Sequence, residues 1–462
     1  VATDRPNVLL VVLDTARADH FGAFGGPPTP NFDALAARGS AVRAFSTSAW
    51  TVPSHASMFS GLLPFEHGVT GAAAITEDRR LASLAPAIAA HRDRWLPEVF
   101  RLAGYRTAAI SANVWITPTM GFDLGFEEFT AVGMARVTPR GADHSWRVRD
   151  LVPAPVLRRS KRAARYLRDA RRGRDFGGRQ AVRGVRSVAA DAGERPLFVF
   201  VNVMECHAPY LPPDPFNPLR GRQRLRGPAV NHRYLGDAFV SAYSLGAVDA
   251  PEEDLDILRS LYAAEVAYAD SILGGILDGL GPMLDRTIVA VASDHGENLG
   301  EQHRLGHVLS LDDRLLSVPL AIAGPDAPEL AGTMSLRDLP QLLSRAAGLD
   351  GHPFDRSSGD GVAIAQYESG WNHLRRAPEV LRRYRLSAEQ EAVLRGPMTA
   401  ATDGRTLLVR RADGERVEGP EEAAPGLRRA LDAAPKQQAV PDGYTALEEA
   451  EIEERLRELG YL

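Results

Sequence analysis

At 462 residues the chain is longer than one hydrophobic core usually serves, so a large domain with a smaller companion is expected. Its 44% hydrophobic content is ample for burial, its formal charge of -5 argues against a general nucleic-acid binder, and one cysteine excludes an internal disulfide framework. No apolar run reaches the ~18 residues of a membrane span, and Val1-Ala2-Thr3-Asp4-Arg5 leads straight into a strand-like run. Neither a span nor a signal peptide is visible, and a cytoplasmic location is the expectation.

Asn7 to Asp14 is a run of aliphatic and β-branched residues ending in a carboxylate, the pattern of a fully buried parallel strand. Asp33 to Arg38 reads as a helix with Phe32 and Leu35 inward. Around Thr51, Pro53 suits the first turn of a helix and Ala56, Met58 and Phe59 supply its apolar positions. The Thr51 hydroxyl then sits beside unpaired backbone N–H groups and the positive end of the helix dipole, where an anion has a ready seat; an ordinary Ser/Thr cap is the simpler reading. Leu96 to Ala103 reads as a helix stopped at Gly104, and Tyr105 to Ser111 as a strand with Asn113 and Trp115 at its carboxyl end.

Residues 134–195 are the compositional anomaly. Between Leu157 and Arg186 there are twelve basic residues and two acidic ones, above a narrow apolar stripe of Leu157, Ala164, Leu167 and Ala170. This is either a solvated arginine-rich helix or a lid or docking surface for a polyanion, since arginine forks bind phosphate bidentately. It carries no nucleic-acid recognition motif.

Leu197 to Met204 is a third buried strand, delivering Glu205 and His207 to the same rim. Glu252 to Leu280 is helical by its leucine and isoleucine spacing and leads into Thr287 to Ala292, a strand that ends in Ser293-Asp294-His295-Gly296-Glu297. His303 and His307 follow in a Gly-rich loop, sharing a face only if the loop turns helical, and Val318 to Ala323 is another strand. Beyond about 350 the chain reads as a small antiparallel sheet from Ile364, Met398 and Thr406, with turns at Asp403-Gly404 and Asp413-Gly414. Trp371, Asn372 and His373 would overhang the cleft, 415–440 reads as a surface connection, and Ala446 to Leu459 as a final amphipathic helix.

The fold class is therefore α/β, a large, mostly parallel sheet flanked by helices with a small C-terminal antiparallel sheet, divided at about 350. Ligands gather outside the carboxyl ends of strands in such sheets, so Asp14, Thr51, Asp294 and His295 should converge. Two carboxylates, an imidazole and a hydroxyl suit one divalent cation: manganese, zinc, magnesium or calcium.

These motifs together resemble the sulfatase-like branch of the alkaline phosphatase superfamily. The resemblance runs from Arg5-Pro6-Asn7 to Gly460-Tyr461-Leu462. It includes Thr29-Pro30-Asn31, Gly61-Leu62-Leu63-Pro64, His207-Ala208-Pro209-Tyr210, Ser293 to Glu297, His307 with Ser310, and Val318-Pro319-Leu320. It implies metal ligation by Asp14, Thr51, Asp294 and His295, with His207 as a substrate-oxygen ligand or leaving-group acid. It implies that His307 contacts the transferred oxyanion or a second cation. His55, Asn113 and His303 complete the candidate substrate contacts.

The departures discriminate chemistry. Sulfatases of this branch convert a Cys or Ser in Cys-x-Pro-x-Arg to formylglycine, whereas here the motif reads Thr51-Val52-Pro53-Ser54-His55, and threonine cannot give that aldehyde. The family's sulfate-binding lysines are missing, since Lys161 and Lys436 lie outside the motifs; Thr15 stands where another Asp is usual. The superfamily's two-metal members have an Asp shortly before the His at 207, so one ion is expected ahead of two. The reading is a hydrolase of phosphate mono- or diesters through a phosphothreonine, acting on an anionic small-molecule or conjugated substrate. Transfer to an alcohol, sulfuric ester hydrolysis without formylglycine, and a non-catalytic anion binder are the alternatives.

Overall fold

The computed structural model describes residues 5–70, 84–133, 169, 171–221, 223–354, 361–369 and 394–437. Seven strands form the main sheet: β1 (Asn7–Leu13), β2 (Ser40–Phe45), β3 (Arg106–Ser111), β4 (Glu128–Ala131), β5 (Leu197–Val203), β6 (Thr287–Ala292) and β9 (Ser317–Ala323). Their order is β2-β9-β6-β1-β5-β3-β4. The run from β6 to β4 is parallel, and antiparallel β9 and β2 close one side. Every residue of β1, β5, β6 and β9 is buried, as expected of strands covered on both faces.

The register explains why the site can form. Val12 pairs with Asn202 and Ala292, and Asn202 with Ser111, so four strand ends stop in one row. Asp14, Asn113 and Asp294 each lie just beyond that row.

Alternation along β5 separates two helical layers. Phe198 and Phe200 point to one side, where Phe198 stacks on Phe100 of the helix Leu96–Leu102 and Phe200 meets Phe59 of the helix Thr51–Ser60 edge-on. The other side holds the helix Gly178–Ala190, whose Gly184 comes so close to Ile110 that a Cβ there would lie 2.9 Å from its Cδ1. The 29-residue helix Glu252–Leu280 packs on Gly178–Ala190 and on Pro30–Arg38.

A hairpin of β7 (Asn298–Leu299) and β8 (Leu305–Gly306) follows β6. The second sheet is an antiparallel meander of β10 (Ala363–Tyr367), β11 (Met398–Thr402), β12 (Leu407–Arg411) and β13 (Gly414–Glu418). One face packs on Phe45, Ala49 and Leu316 of the main body; the other receives Ala424, Leu427 and Leu431 of the helix Ala424–Ala433.

One sequence expectation needs correction, and two open readings are narrowed. Residues 415–440 are not simply a surface connection: β13 and the helix Ala424–Ala433 lie there. Their apolar positions are few and mostly small, which hid them. Part of the arginine-rich segment is a core helix, for Gly178, Ala181, Val185 and Val188 are buried beneath exposed Arg179 and Arg186. His303 and His307 do not share a helical face, because Glu301–His303 is one 3-10 turn and β8 intervenes. The stripe from Leu157 to Ala170, Trp371 to His373 and the helix expected at 446–459 lie outside the described residues.

Candidate active site

Thr51 is the first residue of its helix, with Trp50 at the cap position and no capping side chain. The hydroxyl is therefore not spent on a cap. It lies 3.4 Å from Nε2 of His295. Ser46 and Ser54 donate their hydroxyls to the Asp294 carbonyl, Ser54 at 2.7 Å, and so pin the helix Thr51–Ser60 to the end of β6.

One ligand atom from each of Asp14, Asp294 and His295 lies within 4.8 Å of the others, and all three residues are fully buried. Asp14 Oδ2 accepts from Nδ2 of Asn113 at 2.7 Å and of Asn202 at 3.3 Å. Asp294 Oδ1 accepts from the backbone N–H groups of Thr15 and His295. The other oxygens, Asp14 Oδ1 and Asp294 Oδ2, are buried without a hydrogen-bond partner. Nδ1 of His295 donates to the Gly296 carbonyl at 2.9 Å, which leaves the Nε2 lone pair for a ligand. Two orphaned carboxylate oxygens and an imidazole nitrogen fit a divalent cation.

The electrostatics agree. Burial, with repulsion from Asp294, raises the Asp14 pKa to about 6, and burial raises that of Asp294 to about 7. Burial, then the neighbouring His307, lowers His295 and His207 to about 4. A cation at the carboxylates would relieve the strain of holding both ionised out of water.

His207 and His307 face each other edge-on with ring centroids 5.2 Å apart, and His307 lies 4.6 Å from His295. Nδ1 of His207 donates to the Ala208 carbonyl at 2.7 Å. Nδ1 of His307 meets Glu297 Oε1 at 3.1 Å, and Glu297 Oε2 accepts from the Tyr210 hydroxyl at 3.0 Å. Burial raises the Glu297 carboxyl to about 7.

The remaining candidates divide. Asn113 belongs to the cluster, but its amide is engaged by Asp14 and its Oδ1 by the Trp115 N–H. His55 is fully buried, with Nδ1 on the Thr51 carbonyl at 2.9 Å and Nε2 at 3.4 Å from Asn202 Nδ2. Burial holds this ring neutral, lowering its pKa to about 3. His303 stands apart in its contacts, stacking on Tyr243 at 4.0 Å and facing Asp249. Sequence reasoning missed Asn202, the pairing of Glu297 with His307, and Ser46 and Ser54. Asn202 had one signal, a lone amide in an otherwise apolar strand.

Thr15 takes φ of 59°, a left-handed conformation uncommon for a β-branched residue. Its N–H on Asp294 Oδ1 and its carbonyl, accepting from Tyr262 at 2.7 Å, hold it there.

Comparison with known proteins agrees with this architecture. The sulfatase family model matches residues 6–348, and the chain belongs to that family. It is 26% identical over 434 residues to a choline-sulfatase of Rhizobium meliloti, covering 88% of this chain and 79% of that protein. It is 25% identical over 360 residues to a sulfatase of Formosa agariphila, covering 71% of this chain but only 65% of that protein's length. Among solved structures it is similar to the phosphonate monoester hydrolase of Agrobacterium radiobacter, with a TM-score of 0.57, 21% identity, and 93% and 92% of the two chains covered. Among the described residues no helix is long and apolar enough to cross a membrane.

Proposed function

We propose that the chain is a metal-dependent hydrolase of phosphate mono- or diesters that works through a phosphothreonine at Thr51. The observation that carries this reading is the Thr51 hydroxyl at a helix start, 3.4 Å from Nε2 of His295, a residue that brings a ligand atom within 4.8 Å of one from Asp14 and one from Asp294. Asp14, Asp294 and His295, with Thr51, would hold one divalent ion; such an ion lowers the pKa of a bound hydroxyl and draws charge from phosphoryl oxygens.

The chain's own residues supply the rest. The Thr51 hydroxyl gives its proton to solvent, which later resupplies His307, its oxygen attacks phosphorus, and the bond to the departing alcohol breaks. N–H groups of the first helical turn face the phosphoryl oxygens. Glu297 favours the charged form of His307, from which a proton can pass to the leaving oxygen, while neutral His207 offers Nε2 as an acceptor for the water that later cleaves the phosphothreonine. The bond from phosphorus to the Thr51 oxygen breaks, that oxygen receives the proton His207 took from the water, and phosphate departs.

Threonine supports phosphorus because it cannot form the aldehyde hydrate through which formylglycine sheds sulfate. Sulfuric ester hydrolysis is the second reading, favoured by the choline-sulfatase match over most of the chain. Wild type and Thr51→Ala, each supplied with manganese, zinc, magnesium or calcium, should be assayed on aryl phosphate monoesters, diesters, phosphonates and sulfates. The proposal expects phosphorus esters to be turned over by wild type alone. Turnover confined to sulfates replaces it with the second reading, and equal turnover by both proteins removes Thr51 from the mechanism.

A further inference from the structure

We infer that His55 and Asn202 form a neutral hydrogen-bonded strut that positions the nucleophile helix against the Asp14 carboxylate, so that both are positioning residues and neither contacts substrate. The inference rests on the proposed roles of Thr51 and Asp14.

Hydrogen-bond polarity fixes the strut from one end to the other. Asp14 Oδ2 is a carboxylate oxygen and accepts, so the Asn202 group 3.3 Å away is its amide nitrogen. That same nitrogen lies 3.4 Å from His55 Nε2, which must therefore accept. A neutral imidazole that accepts at Nε2 carries its proton on Nδ1, and this proton goes to the Thr51 carbonyl 2.9 Å away. Asp14, Asn202, His55 and Thr51 are thus joined in sequence without a formal charge between the carboxylate and the helix.

Packing holds the strut rigid. Phe200, two residues before Asn202 and on the same side of β5, meets the His55 ring edge-on with centroids 5.9 Å apart. Both His55 and Asn202 are fully buried. His55 Nδ1 also lies 3.6 Å from Asp294 Oδ2, so the ring backs the second carboxylate as well. The strut stands behind the hydroxyl and the two carboxylates, where it can set their spacing but takes no part in bond making.

The test uses the full-length protein, manganese alone as the probe of the site, and the preferred aryl ester as the probe of turnover. His55→Ala and Asn202→Ala should each weaken manganese binding about 10- to 100-fold, as loss of a group supporting a metal ligand generally does. Each should lower kcat about as much, with KM within about threefold, because the ground-state contacts with substrate are untouched. The double variant should be no worse than the weaker single, because either substitution already breaks the strut. His55→Gln, whose amide reaches Asn202, should keep more of the manganese affinity than His55→Asn, which serves only the Thr51 end. These two fill the space and carry the test should the alanine variants not fold. Unchanged manganese affinity in both single variants, independent losses that multiply in the double, or equal affinity in the Gln and Asn variants overturns the strut. The manganese measurement needs no turnover, so an active Thr51→Ala removes the nucleophile assignment while the strut is still judged by affinity.

Discussion

The Thr51 hydroxyl lies 3.4 Å from Nε2 of His295, although 244 residues of chain separate them. Neither residue reaches the other through local structure. One opens a helix pinned by Ser54 to the Asp294 carbonyl, the other follows Asp294 at the end of β6, and the sheet register holds both. Thr51→Ala should therefore fold and bind manganese more weakly, yet lose at least about a thousandfold in kcat, whereas Thr51→Ser retains measurable turnover. Acid-quenched intact mass spectrometry with a slowly hydrolysed ester should find a phosphoryl adduct on wild type and none on Thr51→Ala. An adduct on the alanine variant would move the nucleophile elsewhere.

The buried carboxyls make cation binding pH-dependent in a defined direction. Asp14 at about 6 and Asp294 at about 7 both lie above the ordinary 3.8, so the metal-free fold binds more protons than the unfolded chain between the two limits. Their contribution to stability is complete below the unfolded value and is lost as pH rises through about 6 and about 7. A cation needs both deprotonated and therefore releases protons when it binds. The manganese-induced rise in Tm should be small near about pH 5 and grow towards about pH 8, and calorimetry in buffers of different ionisation enthalpy should detect more proton release at about pH 6 than at about pH 8. A Tm increment that is flat across this range contradicts the carboxylate ligation.

Much of this was legible in the sequence, for a physical reason. Strands β1, β5 and β6 are buried on both faces and so read as unbroken apolar runs, and the residues that end them, Asp14 and Asp294, are where a ligand site must lie in such a sheet. What escaped was pairing across long separations. Asn202 reads as one more strand residue until His55, 147 positions away, is seen against it. His55 reads as a substrate contact until its burial shows both nitrogens engaged by protein. The helix Gly178–Ala190 was masked by arginines on its outer face, and β13 carries a single valine among charges.

Glu297 presents one oxygen to His307 and the other to the Tyr210 hydroxyl, at 3.1 and 3.0 Å. Glu297→Gln keeps the shape but removes the charge that favours a protonated His307. Its kcat should fall about 10- to 100-fold on esters with a poor leaving group, and far less on nitrophenyl esters, whose departing oxygen needs no proton. Equal losses on both substrate types would assign Glu297 to packing instead.

Gly296 is where the backbone leaves no room. A Cβ at this position would lie 1.8 Å from the Arg314 carbonyl oxygen, in the loop after β6, where the Gly296 N–H already donates to the Leu315 carbonyl at 2.8 Å. Gly296→Ala must push the chain away from that carbonyl. Because the Gly296 carbonyl receives the Nδ1 proton of His295, the displacement reaches the imidazole that faces Thr51. The substitution should destabilise the fold by about 1–3 kcal/mol, the usual range for overpacking a rigid interior. It should also weaken manganese binding beyond what that loss explains. Urea unfolding at saturating manganese and without it separates the two effects, since a purely steric defect lowers both midpoints equally while a displaced His295 narrows the gap between them.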